Sequence, residues 1–199
     1  LKNSLSDILK LPSIEAAPLL LGCVISRKTP EGEISLKIVE TEAYHQDDPA
    51  SHSYRGLTKR TAPMFEEGGR IYVYFTYGMH YCINIVVGQK GVGEAVLLRA
   101  AEPVSGIEIM QKNRGITDIH KLANGPGKLT QALGIKDTNM SGEILNKSSI
   151  FLQQSEEEIK AEDIIASPRI GIKKATENPW RFYIKDSPFV SKISSKKAV

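Results

Sequence analysis

Apolar residues recur at helical spacing twice near the start of the chain, and at every second position over much of the remainder. Ser4 to Leu9 and Glu15 to Val24 carry the helical pattern and predict two short helices, the first capped by Ser4 or Ser6. Ile34, Leu36 and Ile38 alternate with Ser35 and Lys37 behind a Glu31-Gly32 turn, so Ile34 to Tyr44 is expected as a strand. A loop rich in Asp, Pro, Ser and Gly runs from His45 to Gly69. Ile71 to Thr76 and Tyr81 to Val87 are β-rich runs, and Tyr77-Gly78-Met79-His80 between them reads as a hairpin connection. Ala95 to Ala101 predicts a further strand behind the Gly91-Val92-Gly93 turn. Ser105 to Arg114 and Lys128 to Leu133 read as helices; Ile150 to Gln153, Arg169 to Ile172 and Arg181 to Lys185 read as short strands. Helices first and antiparallel strands afterwards favour an α+β fold: a curved antiparallel sheet or partial barrel, flanked by helices, with a protruding β-hairpin.

Composition narrows the class. A chain of 199 residues without repeat, low-complexity tract or Pro/Ser linker is expected to form one domain over 1–199. Hydrophobic residues make up 41% and charged residues 25%, as in soluble globular proteins. No apolar run approaches the roughly 20 residues of a membrane span, and Leu1 to Lys10 turns polar too soon for a secretory signal. No membrane partner is therefore expected. Cys23 and Cys82 lie far apart, which disfavours a disulfide framework or a zinc knuckle and points to a reducing compartment. The net charge of +3 permits a polyanionic partner without demanding one. Lysine outnumbers arginine, as in AT-rich bacterial genomes.

The candidate chemistry lies in three places. On a strand, Ile34, Leu36, Ile38, Glu40, Glu42 and Tyr44 share one face, so an apolar face runs into two carboxylates and an aromatic. A carboxylate there is costly unless paired or used; the alternative is a frayed strand end with solvated glutamates. In the hairpin, Tyr77 and Met79 flank a glycine at the tip, where an apolar side chain either folds back on the core or wedges between base steps of a nucleic acid. Asn84 interrupts an apolar strand and reads as a structural bridge or a base-edge reader. Arg55, Lys59, Arg60 and Arg70 concentrate positive charge in the loop and at the hairpin entry, fitting a solvated basic face or phosphate contacts. Gly125-Pro126-Gly127-Lys128-Leu129-Thr130 is no phosphate loop, because Leu129 stands where Ser or Thr should hold magnesium. His45, His52, His80 and His120 lack zinc-site spacing, and no metal or other cofactor is expected.

Together these blocks resemble the alkyladenine DNA glycosylase family, the mammalian-type 3-methyladenine DNA glycosylases. The resemblance runs from about Leu20 to Ser191. Its carriers are Ile38 to Tyr44, Ala50-Ser51-His52, Met64-Phe65, Tyr72 to Met79, Val96 to Ala100, Gly125 to Leu129, Arg169 to Ile172 and Arg181-Phe182-Tyr183. The resemblance implies a bacterial member that flips alkylated or deaminated purines (3-methyladenine, 7-methylguanine, hypoxanthine, ethenoadenine) out of double-stranded DNA. It would then hydrolyse the N-glycosidic bond as a monomer without lyase activity, in the bacterial cytoplasm at the nucleoid or, in a eukaryote, in the nucleus.

By the same resemblance Glu42, not Glu40, is the general base for water, and Arg99 and the backbone of Ile170 help to hold that water. Tyr44, His52 and Tyr74 wall the base pocket, and Asn84 crowds the purine 2-position. Tyr77 fills the gap left in the duplex, with Met79 beside it; Arg55, Lys59 and Arg60 are expected on the DNA backbone. The chain departs from the mammalian pattern in a Tyr44–His52 segment one residue shorter, and in Lys59-Arg60-Thr61-Ala62-Pro63 replacing a Pro-Arg-Asn run. Two rivals stand beside this reading. One is a non-catalytic module that binds damaged DNA. The other is a bifunctional glycosylase/lyase with Lys59 or Lys128 as imine-forming nucleophile.

Overall fold

A computed structural model describes residues 3–192. Two short helices open it: α1 (Leu5–Ile8) and α2 (Ser13–Leu19). In α1 the Ser4 hydroxyl accepts from the Asp7 backbone N–H while the Asp7 carboxylate accepts from the Ser4 backbone, a reciprocal cap. Among the described residues the strands are β1 (Val24–Thr29), β2 (Gly32–Tyr44), β3 (Ile71–Thr76), β4 (His80–Val86), β5 (Ala95–Ser105), β6 (Ile150–Gln153), β7 (Ile164–Ser167) and β8 (Arg181–Ile184). Helices α3 (Ile107–Arg114) and α4 (Pro126–Ala132) lie between β5 and β6.

All strand pairs are antiparallel, in the order β3-β4-β5-β2-β1-β6, with β8 joining both β2 and β7. The long strand β2 is the axis of this arrangement. Its first half pairs with β1, from Gly32 to Lys37; its second half takes β8 instead, from Glu40 to Glu42. Register slips against β5 around Ile38 to Thr41 bend β2 where it changes partner. The two glutamates therefore lie at the fork of the sheet.

The core fills the curve of the sheet with Ile25, Ile34, Leu36, Ile38, Ile71, Ile83, Ile85 and Leu98, and Met110 of α3 and Leu129 of α4 close it. Thr41 is buried by donating to the Ala17 carbonyl of α2, at 2.9 Å.

The fold class is as expected from the sequence, and several boundaries differ. The helix expected over Glu15 to Val24 ends at Leu19, because Gly22 turns the chain at φ +82° and Val24 already belongs to β1. No sequence pattern marks that strand. Its Arg and Lys break an apolar alternation, yet Ser26 bonds Ser35 across the pair at 2.8 Å. Ser105, expected to open a helix, closes β5; Gly106 at φ +71° separates it from α3. Pro126 starts α4 two residues earlier than expected, at the position where a missing N–H costs nothing. Arg169 to Ile172 is not a strand but an open segment; the strand lies just before it, at β7.

Candidate active site

The bend of β2 carries Glu40 and Glu42 into the interior, and both are completely buried. The alternative of solvated glutamates at a frayed strand end is thereby overturned. Each has a different set of donors. Glu40 accepts from Arg99 Nε at 3.2 Å, Arg181 Nε at 2.6 Å, the Ser191 backbone N–H at 2.7 Å and the Ser191 hydroxyl at 2.7 Å. It ties β5, β8 and the end of the described chain together, and does not border the cavity that opens beside Glu42.

Glu42 does border it. Its Oε1 accepts from the Ile170 backbone N–H at 2.8 Å and faces Arg99 Nη1 at 3.2 Å, while its Oε2 accepts from the Tyr44 hydroxyl at 2.8 Å. Arg99 spans both carboxylates and also reaches the Ile170 carbonyl at 3.5 Å. Burial works against the Arg99 charge, but Glu42 and then Glu40 outweigh it and raise its pKa. Burial first, and then the Glu42 carboxylate, hold the Tyr44 phenol well above the ordinary tyrosine range, so it stays a donor. Glu42 is a carboxylate fixed by a backbone amide, a guanidinium and a phenol, with its edge on open space.

That space is a cavity of about 350 Å³, at the lower end of the ~300–1,000 Å³ usual for small-molecule sites. Tyr44, His52, Met64, Tyr72, Tyr74 and Asn84 are among its walls. His52 stands edge-on to Tyr74, with centroids 4.5 Å apart and planes at 84°. Its Nδ1 lies 3.0 Å from the Tyr72 hydroxyl, and its Nε2 lies 3.5 Å from Arg60 Nη2. Arg60 can only donate, which leaves Nε2 as the acceptor and Nδ1 as the protonated nitrogen. Burial, aided by the Arg60 charge, lowers the His52 pKa to about 4, so the ring is neutral at physiological pH. Asn84 is buried and donates to the carbonyl of Tyr72, its partner across the hairpin, at 3.0 Å. It bridges the hairpin and also forms part of the cavity wall.

At the mouth, the hairpin tip projects instead of folding back. Tyr77 is 77% exposed and Met79 70%. Tyr77 and Gly78 both have positive φ, +51° and +68°, and the Met79 N–H closes the turn on the Thr76 carbonyl at 3.3 Å. A tyrosine in the left-handed region is a strained choice, of the kind that clusters at binding sites. Its ring leans toward the segment after β7, where a Cβ on Gly171 would come within 3.5 Å of the hydroxyl.

A methylpurine-DNA glycosylase family model matches residues 7–188. A relative from Francisella tularensis (strain SCHU S4) is 51% identical over 191 residues, covering 96% of this chain and 99% of its own. One from Carboxydothermus hydrogenoformans is 49% identical over 173 residues (87% and 90%), and one from Methanoculleus marisnigri 46% over 182 (90% and 94%). All three bear the name "Putative 3-methyladenine DNA glycosylase".

The chain belongs to the methylpurine-DNA glycosylase family.

In this family member the structure brings Glu42, Arg99, Ile170, Tyr44, His52, Tyr74, Asn84 and Tyr77 to one cavity. Met79 stands beside it on the hairpin, and Arg60 packs 5.7 Å from the Tyr74 ring. Arg55 and Lys59 are exposed on the same loop without lining the cavity. Sequence reasoning missed Met64, Cys82 and Leu97 in the walls, and Lys173 and Lys174 at the mouth. The lysines follow directly on Arg169 to Ile172; expecting a strand there concealed that the segment wraps the opening. Burial pushes the Cys82 thiol up to about 11, so it serves as a small apolar wall. Of the two lysines weighed as nucleophiles, Lys59 is exposed and does not line the cavity, and Lys128 donates to Asn124 Oδ1 at 2.8 Å. Among the described residues no helix is long and apolar enough to cross a membrane.

Proposed function

We propose that this chain is a base-excision-repair DNA glycosylase that hydrolyses the N-glycosidic bond of alkylated or deaminated purines, with Glu42 as the general base. The observation that carries the reading is the buried Glu42 carboxylate, held by Ile170, Arg99 and Tyr44 on the wall of an aromatic cavity. A carboxylate anchored only for stability has no reason to border open space, and Glu40, four times hydrogen-bonded and shut away, is the contrast.

The chemistry follows from that placement. The damaged nucleotide leaves the stack at a cost of a few kcal/mol, smallest for a mispaired or damaged base. Tyr77 enters the gap, with Met79 beside it, and Arg55, Lys59 and Arg60 meet the phosphates. The base lodges among Tyr44, His52 and Tyr74. Aromatic faces favour a cationic base such as 3-methyladenine by about 0.5–2 kcal/mol. Asn84 crowds the purine 2-position, against the amino group of normal guanine.

Glu42 takes a proton from a water that attacks C1′ of the sugar, and Arg99 and the Ile170 backbone help to hold that water. The C1′–N bond breaks and its electron pair leaves with the base. A cationic base departs neutral, while a neutral one such as hypoxanthine needs a proton. The product is an abasic site, and no lysine takes part. The enzyme acts as a monomer on double-stranded DNA, at the nucleoid.

Duplexes each bearing one modified purine, incubated with the protein and then cleaved with alkali, test this directly. Strand breaks at one or more of the lesions are expected. Binding to such duplexes with no base released would favour the non-catalytic module instead.

A further inference from the structure

The segment that delivers Ile170 to Glu42 has little of its own to hold it there. Between β7 and Asn178 its described hydrogen bonds are those of Ile170 and of its neighbour Arg169. The Arg169 side chain is entirely buried and does not line the cavity. Nη1 donates to the Ala43 carbonyl at 2.9 Å and pairs with the Asp48 carboxylate. The guanidinium carbon lies 4.7 Å from the Tyr44 ring and 5.0 Å from the Trp180 ring. Asp48, equally buried, uses its other oxygen to accept from the Ala50 N–H at 2.9 Å, at the start of the stretch that leads to His52.

One ion pair thus joins three parts of the site: the end of β2 with Tyr44, the loop wall from Asp48 to His52, and the segment carrying Ile170. Stability alone is a poor reason for it. Two charges taken out of water recover little more than their desolvation cost, and Nε and Nη2 of Arg169 have no hydrogen-bond partner among the described residues. Fixed geometry is the better reason.

We infer that Arg169, through Asp48, is a positioning residue for the hydrolysis. It presses the Tyr44 ring from behind and keeps the Ile170 N–H on Glu42, without touching the base. The inference rests on Glu42 being the general base. A displacement of about 1 Å in a catalytic group can cost on the order of a hundredfold in rate, so a loosened clamp registers in chemistry before it registers in binding.

Two variants and three readouts test it. Arg169→Lys keeps the charge and loses the flat stack; Asp48→Asn keeps the shape and loses the charge. In the free protein, exchange of the Ile170 amide, the one N–H of the 168–174 peptide with a described hydrogen bond, should quicken by about tenfold or more in either variant, while β2 and β5 peptides keep their protection and certify the fold. With enzyme in excess over a duplex that the wild type cleaves, the excision rate should fall by about tenfold or more. Affinity for a duplex bearing a tetrahydrofuran abasic analogue should stay within about threefold.

If a variant that keeps its β2 and β5 protection leaves 168–174 exchange unchanged, or loses affinity as fast as rate, the clamp is overturned. If one variant fails to fold, the other decides alone. Should the wild type release no base, the underlying reading falls, and the exchange measurement still decides whether Arg169 holds the segment.

Discussion

Glu40 and Glu42 lie two residues apart on one strand, and their surroundings separate them: Glu40 is shut in among its donors, and Glu42 borders the cavity. Glu40→Gln removes the charge facing Arg99 and Arg181 and should lower the melting temperature. Glu42→Gln should keep lesion binding within a few-fold and cut single-turnover excision by about 10²-fold or more, the usual share of a general base. A Glu42→Gln protein that excises near the wild-type rate would remove Glu42 from the mechanism. His52 makes a separate statement about pH. Unfolded, the ring takes a proton below its ordinary value of 6.5; folded, it resists until about 4. As pH falls through that window the unfolded state binds more protons than the folded one, so stability is lost. Urea midpoints measured from pH 7 to pH 4 should therefore drop less in His52→Gln than in the wild type; parallel drops would put the acid sensitivity elsewhere. Both glutamates were visible in the sequence as polar residues at the edge of an apolar run, while His52, in a polar loop, entered only through the family resemblance. Arg169 was not, because a buried arginine between two aromatic rings leaves no periodic trace.

At the scale of elements, the hairpin was legible and the segment after β7 was not, for one physical reason. Strands β3 and β4 alternate side chains with period two, and the glycine at their tip supplies a positive φ, so pattern and turn chemistry agree. The Arg169 to Ile172 run has the composition of a strand but no partner edge, since β8 already occupies β2 beside Glu42. What it brings to Glu42 is one backbone N–H, from Ile170, and no side-chain pattern encodes that. β1 escaped for the reverse reason: it has two partners, but its Arg and Lys hide the alternation. The hairpin yields its own prediction. Tyr77 at the tip would take the place of the extruded nucleotide and recover part of the lost stacking, worth about 1–3 kcal/mol per base. Tyr77→Ser should lower the flipped population by about tenfold or more on duplex DNA and change little on single strands, where no hole needs filling. Fluorescence of an ethenoadenine duplex reports the flipped base; an unchanged signal and excision rate would make the tip merely structural.

For the whole molecule, the question is what the cavity leaves behind on the DNA. The net charge is only +3, yet Arg60, Lys173 and Lys174 gather at or beside one opening, beneath an exposed tyrosine and methionine. That distribution, rather than the total, suits a polyanion whose damaged base must enter the opening. It also gives the lyase route better candidates than Lys59 or Lys128, because Lys173 and Lys174 border the cavity and a neighbouring cation is one way to activate a lysine. Against this, both are exposed, whereas Glu42 is fixed inside the cavity by three donors. Attack by water, as proposed for Glu42, would leave a sugar with no imine, and without an imine β-elimination waits for alkali or heat. The product should therefore be an intact strand carrying an abasic site, broken only after alkali or heat. Borohydride added during turnover should trap no enzyme–DNA adduct. A trapped adduct that disappears in Lys173→Gln or Lys174→Gln would assign the nucleophile to the mouth of the cavity and end the water-attack mechanism.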